Sequence, residues 1–404
     1  MSDTSTGMSR RSLIGAAAGV GVLGAGAAIG ISQLGQGSTP TPTHAEAPDV
    51  LGAATVPFYG VHQAGVTTSP QAHSTMVALN LNPGVGRDGV RRMMRILTDD
   101  AARMTQGETA LADMEAELNG LPANLTVTFG FGPGLVTAVG GNGPSWLAQL
   151  PSFGIDRLQA AWTGGDLSIR IASDDPLTVA HTTRMLLKDT RSFATVHWNQ
   201  PGFRRAAGST QTGVSMRNLF GQVDGTVNPS STAQFDDLVW SDEGWMAGGT
   251  SMVVRRIQMN LDTWDRLDRS GREQAIGRKL SNGAPLTGTK ETDEPDFAAT
   301  AASGFPVIAD FAHIRRARGE GAAPQMLRQP YNYEDGPNAE SISDAGLVFV
   351  AYQSDPVTQY IPMQQRLDKL DLLNQWTTPI GSAVFAIPPG CAEGGYIGET
   401  LLDG

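Results

Sequence analysis

Apolar and polar positions alternate or recur at regular spacing over most of the chain. Ser74 to Leu81 is a β-rich run, and Arg87 to Met104 carries Val90, Met93, Met94 and Leu97 at helical spacing on one face. Leu125 to Phe131 alternates as a strand that ends in glycines. The same order recurs in Leu167 to Ala172 as strand, Pro176 to Leu187 as helix and Ala194 to Trp198 as strand. A second round places strands at Ser251 to Met259, Leu347 to Gln353 and Ala383 to Ile387, with helices at Asp262 to Lys279 and Val357 to Leu373. This pattern predicts an α+β fold of antiparallel sheets with helices packed on one face. Its repetition predicts two tandem ferredoxin-like halves that meet near Gly208 to Gly213. The expected organisation is a leader over 1–47, an N-terminal domain over 48–212 and a C-terminal domain over 213–404.

The stretch from Leu280 to Ile342 is crowded with Gly, Pro, Asp and Asn and predicts no regular element. Long irregular segments inside a compact domain are usually functional or disordered. This one contains His313 and Arg328.

Composition narrows the partners. A chain of 404 residues that is 40% apolar can build two cores. A net charge of -11, with no clustered Lys and Arg, argues against nucleic acid and against an anionic membrane surface. Ser9-Arg10-Arg11-Ser12-Leu13-Ile14 precedes a Gly/Ala-rich apolar run from Leu13 to Ile31, and Ala45-Glu46-Ala47 is a small-residue cleavage pattern. The segment reads as a twin-arginine export signal, with a retained N-terminal anchor as the alternative and Pro48 obscuring the cut. Export of folded protein by the twin-arginine machinery favours a metal or haem enzyme that acquires its cofactor first. Cys391 is the sole cysteine, so an intramolecular disulfide and an iron–sulfur site are excluded.

Four motifs carry the chemistry: Gly221-Gln222-Val223-Asp224-Gly225-Thr226, Phe311-Ala312-His313-Ile314-Arg315-Arg316, Met326-Leu327-Arg328 and Tyr331-Asn332-Tyr333. Gly60-Val61-His62-Gln63-Ala64-Gly65 and Gly283-Ala284-Pro285-Leu286 accompany them. From about Phe58 to the C-terminus the ordered set resembles the dye-decolourising peroxidase family, in its secreted, twin-arginine-exported bacterial branch.

The resemblance implies haem b, one per chain and held in the C-terminal half, and reduction of hydrogen peroxide to water through a ferryl intermediate. Aromatic or other one-electron donors would be oxidised in turn. It assigns His313 as the iron ligand, Asp224 as the acid-base group and Arg328 as the guanidinium that stabilises charge on the leaving oxygen. Gly225, Thr226 and Val227 are expected to line the haem through their backbone. Family members often carry Asn-Pro-Arg after the ligand, where this chain has Arg318-Gly319-Glu320; Arg318 or Arg315 is then the expected charge for the propionates.

As lone residues each has a plainer reading: a loop histidine, an Asp-Gly turn and a surface arginine. An aspartate base predicts an acidic pH optimum. Asp355 is a candidate partner for the far side of the His313 ring, or equally a turn residue, and Tyr331, Tyr333, Tyr360 and Trp376 are the aromatics from which a surface electron relay could be drawn, each more readily read as a packing residue. Two other readings stay open: release of iron from haem, as in deferrochelatase-like members of the branch, and a haem-binding or copper-protein partner module of iron uptake without turnover. No His/Met cluster for copper appears.

Overall fold

The computed structural model describes residues 51–211, 213–318, 326–337 and 343–404. The leader, Gly319 and Glu320 lie outside the described residues. The strands are β1 (His73–Leu81), β2 (Thr126–Phe131), β3 (Leu167–Ser173), β4 (Ala194–Phe203), β5 (Met216–Arg217), β6 (Val223–Asp224), β7 (Thr250–Met259), β8 (Leu327–Arg328), β9 (Tyr331–Glu334), β10 (Ala345–Gln353) and β11 (Thr377–Ile387). The helices are α1 (Arg87–Thr105), α2 (Pro133–Ala138), α3 (Pro176–Thr190), α4 (Thr232–Leu238), α5 (Leu261–Trp264), α6 (Arg269–Ile276), α7 (His313–Arg318), α8 (Tyr360–Leu370) and α9 (Glu399–Leu402).

In the first half the strands lie in the order β4-β1-β3-β2, all antiparallel, with α1 after β1 and α3 after β3. The second half repeats this order as β9-β10-β7-β11 read from its opposite edge, with α5 to α7 after β7 and α8 after β10. Each half is therefore strand-helix-strand-strand-helix-strand, the expected ferredoxin-like arrangement. The two sheets touch edge to edge at single pairings, Ala386 with Phe131 and Phe203 with Asn332.

Alternation along the strands sorts the side chains by layer. Met252 and Val254 of β7 pack with Met76, Ala78, Trp198, Tyr352 and Phe385 in one core. On α1 the predicted face of Val90, Met93, Met94 and Leu97 is fully buried against Val77, Leu79, Val127, Phe129, Ile169 and Ile171. Each such side chain contributes roughly 1.5–3 kcal/mol by leaving water.

Four elements differ from the sequence expectation. β4 runs on to Phe203 through Pro201, which an outer strand tolerates because its missing N–H breaks no central ladder. The helix expected over Asp262 to Lys279 is split in two, because Asp268 caps α6 by accepting from Gly271 N and Gly277 ends it at φ 87°. The helix expected to reach Leu373 ends at Leu370, where Asp371 caps a following 3-10 turn, Leu372–Gln375. The segment expected to be irregular supplies α7, β8 and β9, which form by docking on β10 and α8 rather than by local periodicity.

Candidate active site

A cavity of about 250 Å³ lies on the helix-covered face of the second sheet. Arg255, Ile257 and Met259 of β7, spaced two apart, and Leu347 and Phe349 of β10 line it from the sheet. Apart from Ile155, every lining residue among the described ones comes from the second half. His313 enters from α7, Asp224 from β6 and Arg328 from β8, so three residues spread over about a hundred positions line one space.

His313 opens α7, and its Nδ1 lies 2.6 Å from Asp371 Oδ2. The Asp371 side chain is buried and its Oδ1 accepts from Leu373 N at 3.0 Å, so both oxygens are committed. With Nδ1–H donated to the carboxylate, Nε2 carries the free lone pair. The imidazole keeps 32% of its surface accessible while lining the cavity. Burial disfavours its protonation, but the charge and hydrogen bond of Asp371 outweigh this and hold its pKa above the ordinary value. The partner is thus Asp371 and not Asp355, whose Oδ1 accepts from Val357 N in a local turn. Periodicity could not single out Asp371, which reads in sequence as the tail of a helix.

Arg328 Nη1 donates to Asp224 Oδ1 at 3.2 Å. Asn228 fixes the arginine's backbone from both sides: its Nδ2 donates to Arg328 O at 2.8 Å and its Oδ1 accepts from Arg328 N at 3.0 Å. The loop before Asp224 is held by Arg217, which donates to Gly221 O, Leu280 O and Ser281 O. Gly283, of the Gly-Ala-Pro-Leu segment, sits at φ 72° where a Cβ would come within 2.9 Å of Val223, so only glycine lets this loop back β6. Gly225 turns the chain at φ 111°, and Gly225, Thr226 and Val227 line the cavity. Thr226 Oγ1 donates to Glu291 Oε1, which also accepts from Ser215.

Arg318 lines the cavity and pairs with Glu294 at 2.6 Å. Arg315 corrects an expectation: it is no lining residue, because its Nη1 donates to Phe297 O and Ile308 O and its Nη2 pairs with Asp310. Asn228, Arg217 and Arg278 were missed, since an arginine that donates to carbonyls leaves no motif.

The other described histidines serve elsewhere. His62 stacks on Trp240 with centroids 3.7 Å apart, His181 pairs with Asp113 and His197 meets Thr163 O. The Gly60 to Gly65 motif is structural at Gln63, whose amide bridges Phe129 and Pro388 O. Tyr331, Tyr333 and Tyr360 are buried and are no surface relay. Trp376 is half-buried, edge-on to Trp264 at 5.2 Å, and Trp264 lies 4.4 Å from Phe220 in the cavity wall.

Residues 63–204 match the N-terminal domain of the Dyp-type peroxidases and residues 215–392 match their C-terminal domain. The chain belongs to the Dyp-type peroxidase family. It is 34% identical to the dye-decolorizing peroxidase of Thermobifida fusca over 98% of both chains, and 32% identical to a deferrochelatase of Yersinia pestis over 95% of this chain and 94% of that one. Among solved structures, the DyP-type peroxidase of Cellulomonas bogoriensis superposes with a TM-score of 0.85 at 51% identity, covering 88% of this chain and all of that one. Ferric DtpA of Streptomyces lividans gives 0.84 at 40% identity, covering 88% and 98%.

The protein is a haem peroxidase that uses hydrogen peroxide and an electron donor, as its family does. The residues present fit that cofactor. Among the described residues no group of three or more His, Cys, Asp or Glu could hold a bare metal ion. A single imidazole, backed by a carboxylate and facing a largely apolar cavity, suits iron already held by a porphyrin.

Proposed function

We propose that His313 ligates haem b through Nε2 and that Asp224 and Arg328 activate hydrogen peroxide beside it, with aromatic molecules as electron donors. The observation that carries this is the convergence on one cavity of a His–Asp pair and an Asp–Arg pair. The net reaction is H2O2 plus two electrons and two protons giving two waters.

Bound haem supplies the iron that coordinates the peroxide and stores its two oxidising equivalents. Asp371 accepts from Nδ1–H, which fixes the neutral tautomer that offers the Nε2 lone pair, aims the ring and raises its basicity. Arg328 occupies Oδ1 of Asp224, leaving Oδ2 to take the proton of the peroxide oxygen nearest it and return it to the departing oxygen. The remaining N–H groups of the guanidinium stabilise the charge that develops on that oxygen. Asn228 keeps Arg328 in place, so no reorganisation is needed at the moment of reaction. Arg318 supplies positive charge for a haem carboxylate. The row Phe220, Trp264, Trp376 supports oxidation of donors too bulky to enter.

We further propose export by the twin-arginine pathway, on the strength of Arg10-Arg11 and the apolar run behind it, and an organisation into halves at 48–212 and 213–404. Relatives named deferrochelatase raise release of iron as a second reading. The test is an absorption spectrum and pyridine haemochrome assay of the purified protein, repeated after one equivalent of peroxide and in His313→Ala. Haem b at about one per chain, a spectral response to peroxide and loss of haem in the variant are expected. Haem that loses its iron in proportion to turnover would favour the second reading, and wild type that takes up no haem would end both.

A further inference from the structure

One polar group in the cavity wall is used by nothing described so far. Gln222 is 2% exposed and lines the cavity, and its Nε2 is buried with no hydrogen-bond partner among the described residues. Its backbone is well held: its N–H donates to Asn218 Oδ1, and its carbonyl accepts from Asn218 N. Only the amide head is uncommitted. A buried donor left unpaired is a standing destabilisation that an apolar residue of the same shape would avoid. The wall here is otherwise largely apolar, with Phe220, Ile276 and Met259 nearby in the lining. The position asks for an acceptor that arrives with the ligand.

The chemistry of the ligand says which acceptor that is. Gln222 lies just before β6, and both it and Asp224 line the cavity. The oxygen acceptors haem carries are its two carboxylates, and these are at the rim. Positive charge for them is present in the same cavity. Arg278 is buried and lines the cavity, its Nη1 donates to Gly283 O and Glu291 O, and among the described residues it pairs with no carboxylate. Burial holds its pKa below the ordinary value, the Arg328 and Arg318 guanidiniums adding to this and the Glu291 and Glu294 carboxylates opposing it.

We propose that Gln222 is a haem-anchoring residue whose Nε2 donates to a carboxylate of the bound haem, with Arg278 supplying compensating charge in the same cavity. This rests on the haem reading above and names a contact within it. The residue acts on retention of the cofactor and not on the proton transfers.

The test compares release of haem and of haem dimethyl ester, whose carboxylates are masked, from wild type and Gln222→Met holoprotein into excess apomyoglobin. Thermal unfolding of the two apoproteins is measured alongside. Gln222→Met is expected to speed release of native haem about tenfold, the range of one charge-assisted hydrogen bond, and to leave release of the ester unchanged. The apoprotein midpoint should stay level or rise, since the variant removes an unpaired donor. Equal acceleration with both haems, no acceleration with either, or a lowered apoprotein midpoint would overturn the proposal by making Gln222 a packing residue or a water ligand. Wild type that binds neither haem would instead bring down the haem reading itself, and this contact with it.

Discussion

Replacing Asp371 by Asn tests whether the carboxylate behind His313 does more than fill space. Asp371 presents two oxygens to two donors: Oδ2 to His313 Nδ1 at 2.6 Å and Oδ1 to Leu373 N at 3.0 Å. Asparagine has one oxygen, so it can keep the turn after α8 or hold the imidazole, but not both. If its NH2 faces the ring, it favours the tautomer with the proton on Nε2, which cannot ligate iron. Loss of the charge alone replaces a charge-assisted bond with a neutral one, about 1 kcal/mol at a site screened from water. A donor left unpaired adds about 1–3 kcal/mol. Together these come to about 2–4 kcal/mol, which predicts release of haem about 30–700-fold faster, overlapping and extending the ~10–100-fold range for outer partners of ligating histidines. The assay is transfer of haem to apomyoglobin, with near-ultraviolet circular dichroism to confirm the fold. A variant that retains haem as wild type does, at full occupancy and with an unchanged spectrum, would refute both the pairing and the assignment of His313.

Asp224→Asn should slow the reaction with peroxide by about 10²–10⁴-fold at unchanged haem content, read by stopped-flow absorbance, and Arg328→Ala should slow it as much or more. A wild-type rate in either would remove that residue from the mechanism. Asn228→Ala, which frees both backbone groups of Arg328, should cost about tenfold in the same rate while haem content holds; loss of haem instead would make Asn228 a structural residue. Away from the site, burial and the neighbouring Asp100 carboxylate push the Asp189 carboxyl up from 3.8 to about 7. A carboxyl with a raised folded pKa binds its proton more tightly when folded, so stability falls as pH rises from about 4 to about 7. Partial exposure discounts the shift, leaving an expected gain for Asp189→Asn of about 1–2 kcal/mol at pH 8 and none at pH 4. Urea unfolding at the two pH values measures it, and a gain that is equal at both would show that the pair is not titrating.

Local pattern was enough to place the long periodic elements, though not their ends, where the caps at Asp268, Gly277 and Asp371 decide. Val90, Met93, Met94 and Leu97 declare the buried face of α1 because a helix repeats every 3.6 residues, and the long strands of both halves declare themselves, whereas β9 forms only by pairing with β10. The motifs around Asp224, His313 and Arg328 were legible as short strings, and all three residues line the cavity. What the string could not carry were partners brought in from a distance. Asp371 reads as the end of a helix and becomes the partner of His313 only when α8 packs on α7. Arg315 and Arg318, three residues apart on one short helix, look equivalent until the fold turns one toward Phe297 and the other into the cavity. Tyr331, Tyr333 and Tyr360 had both a packing and a surface-relay reading in the sequence, packing the stronger, and they are core residues, because a tyrosine's exposure is set by the layer that covers it. Residue type and spacing encode the periodic elements and the chemistry available; which side chains meet, and which face the cavity, depends on contacts between elements far apart in the chain, and only packing decides those.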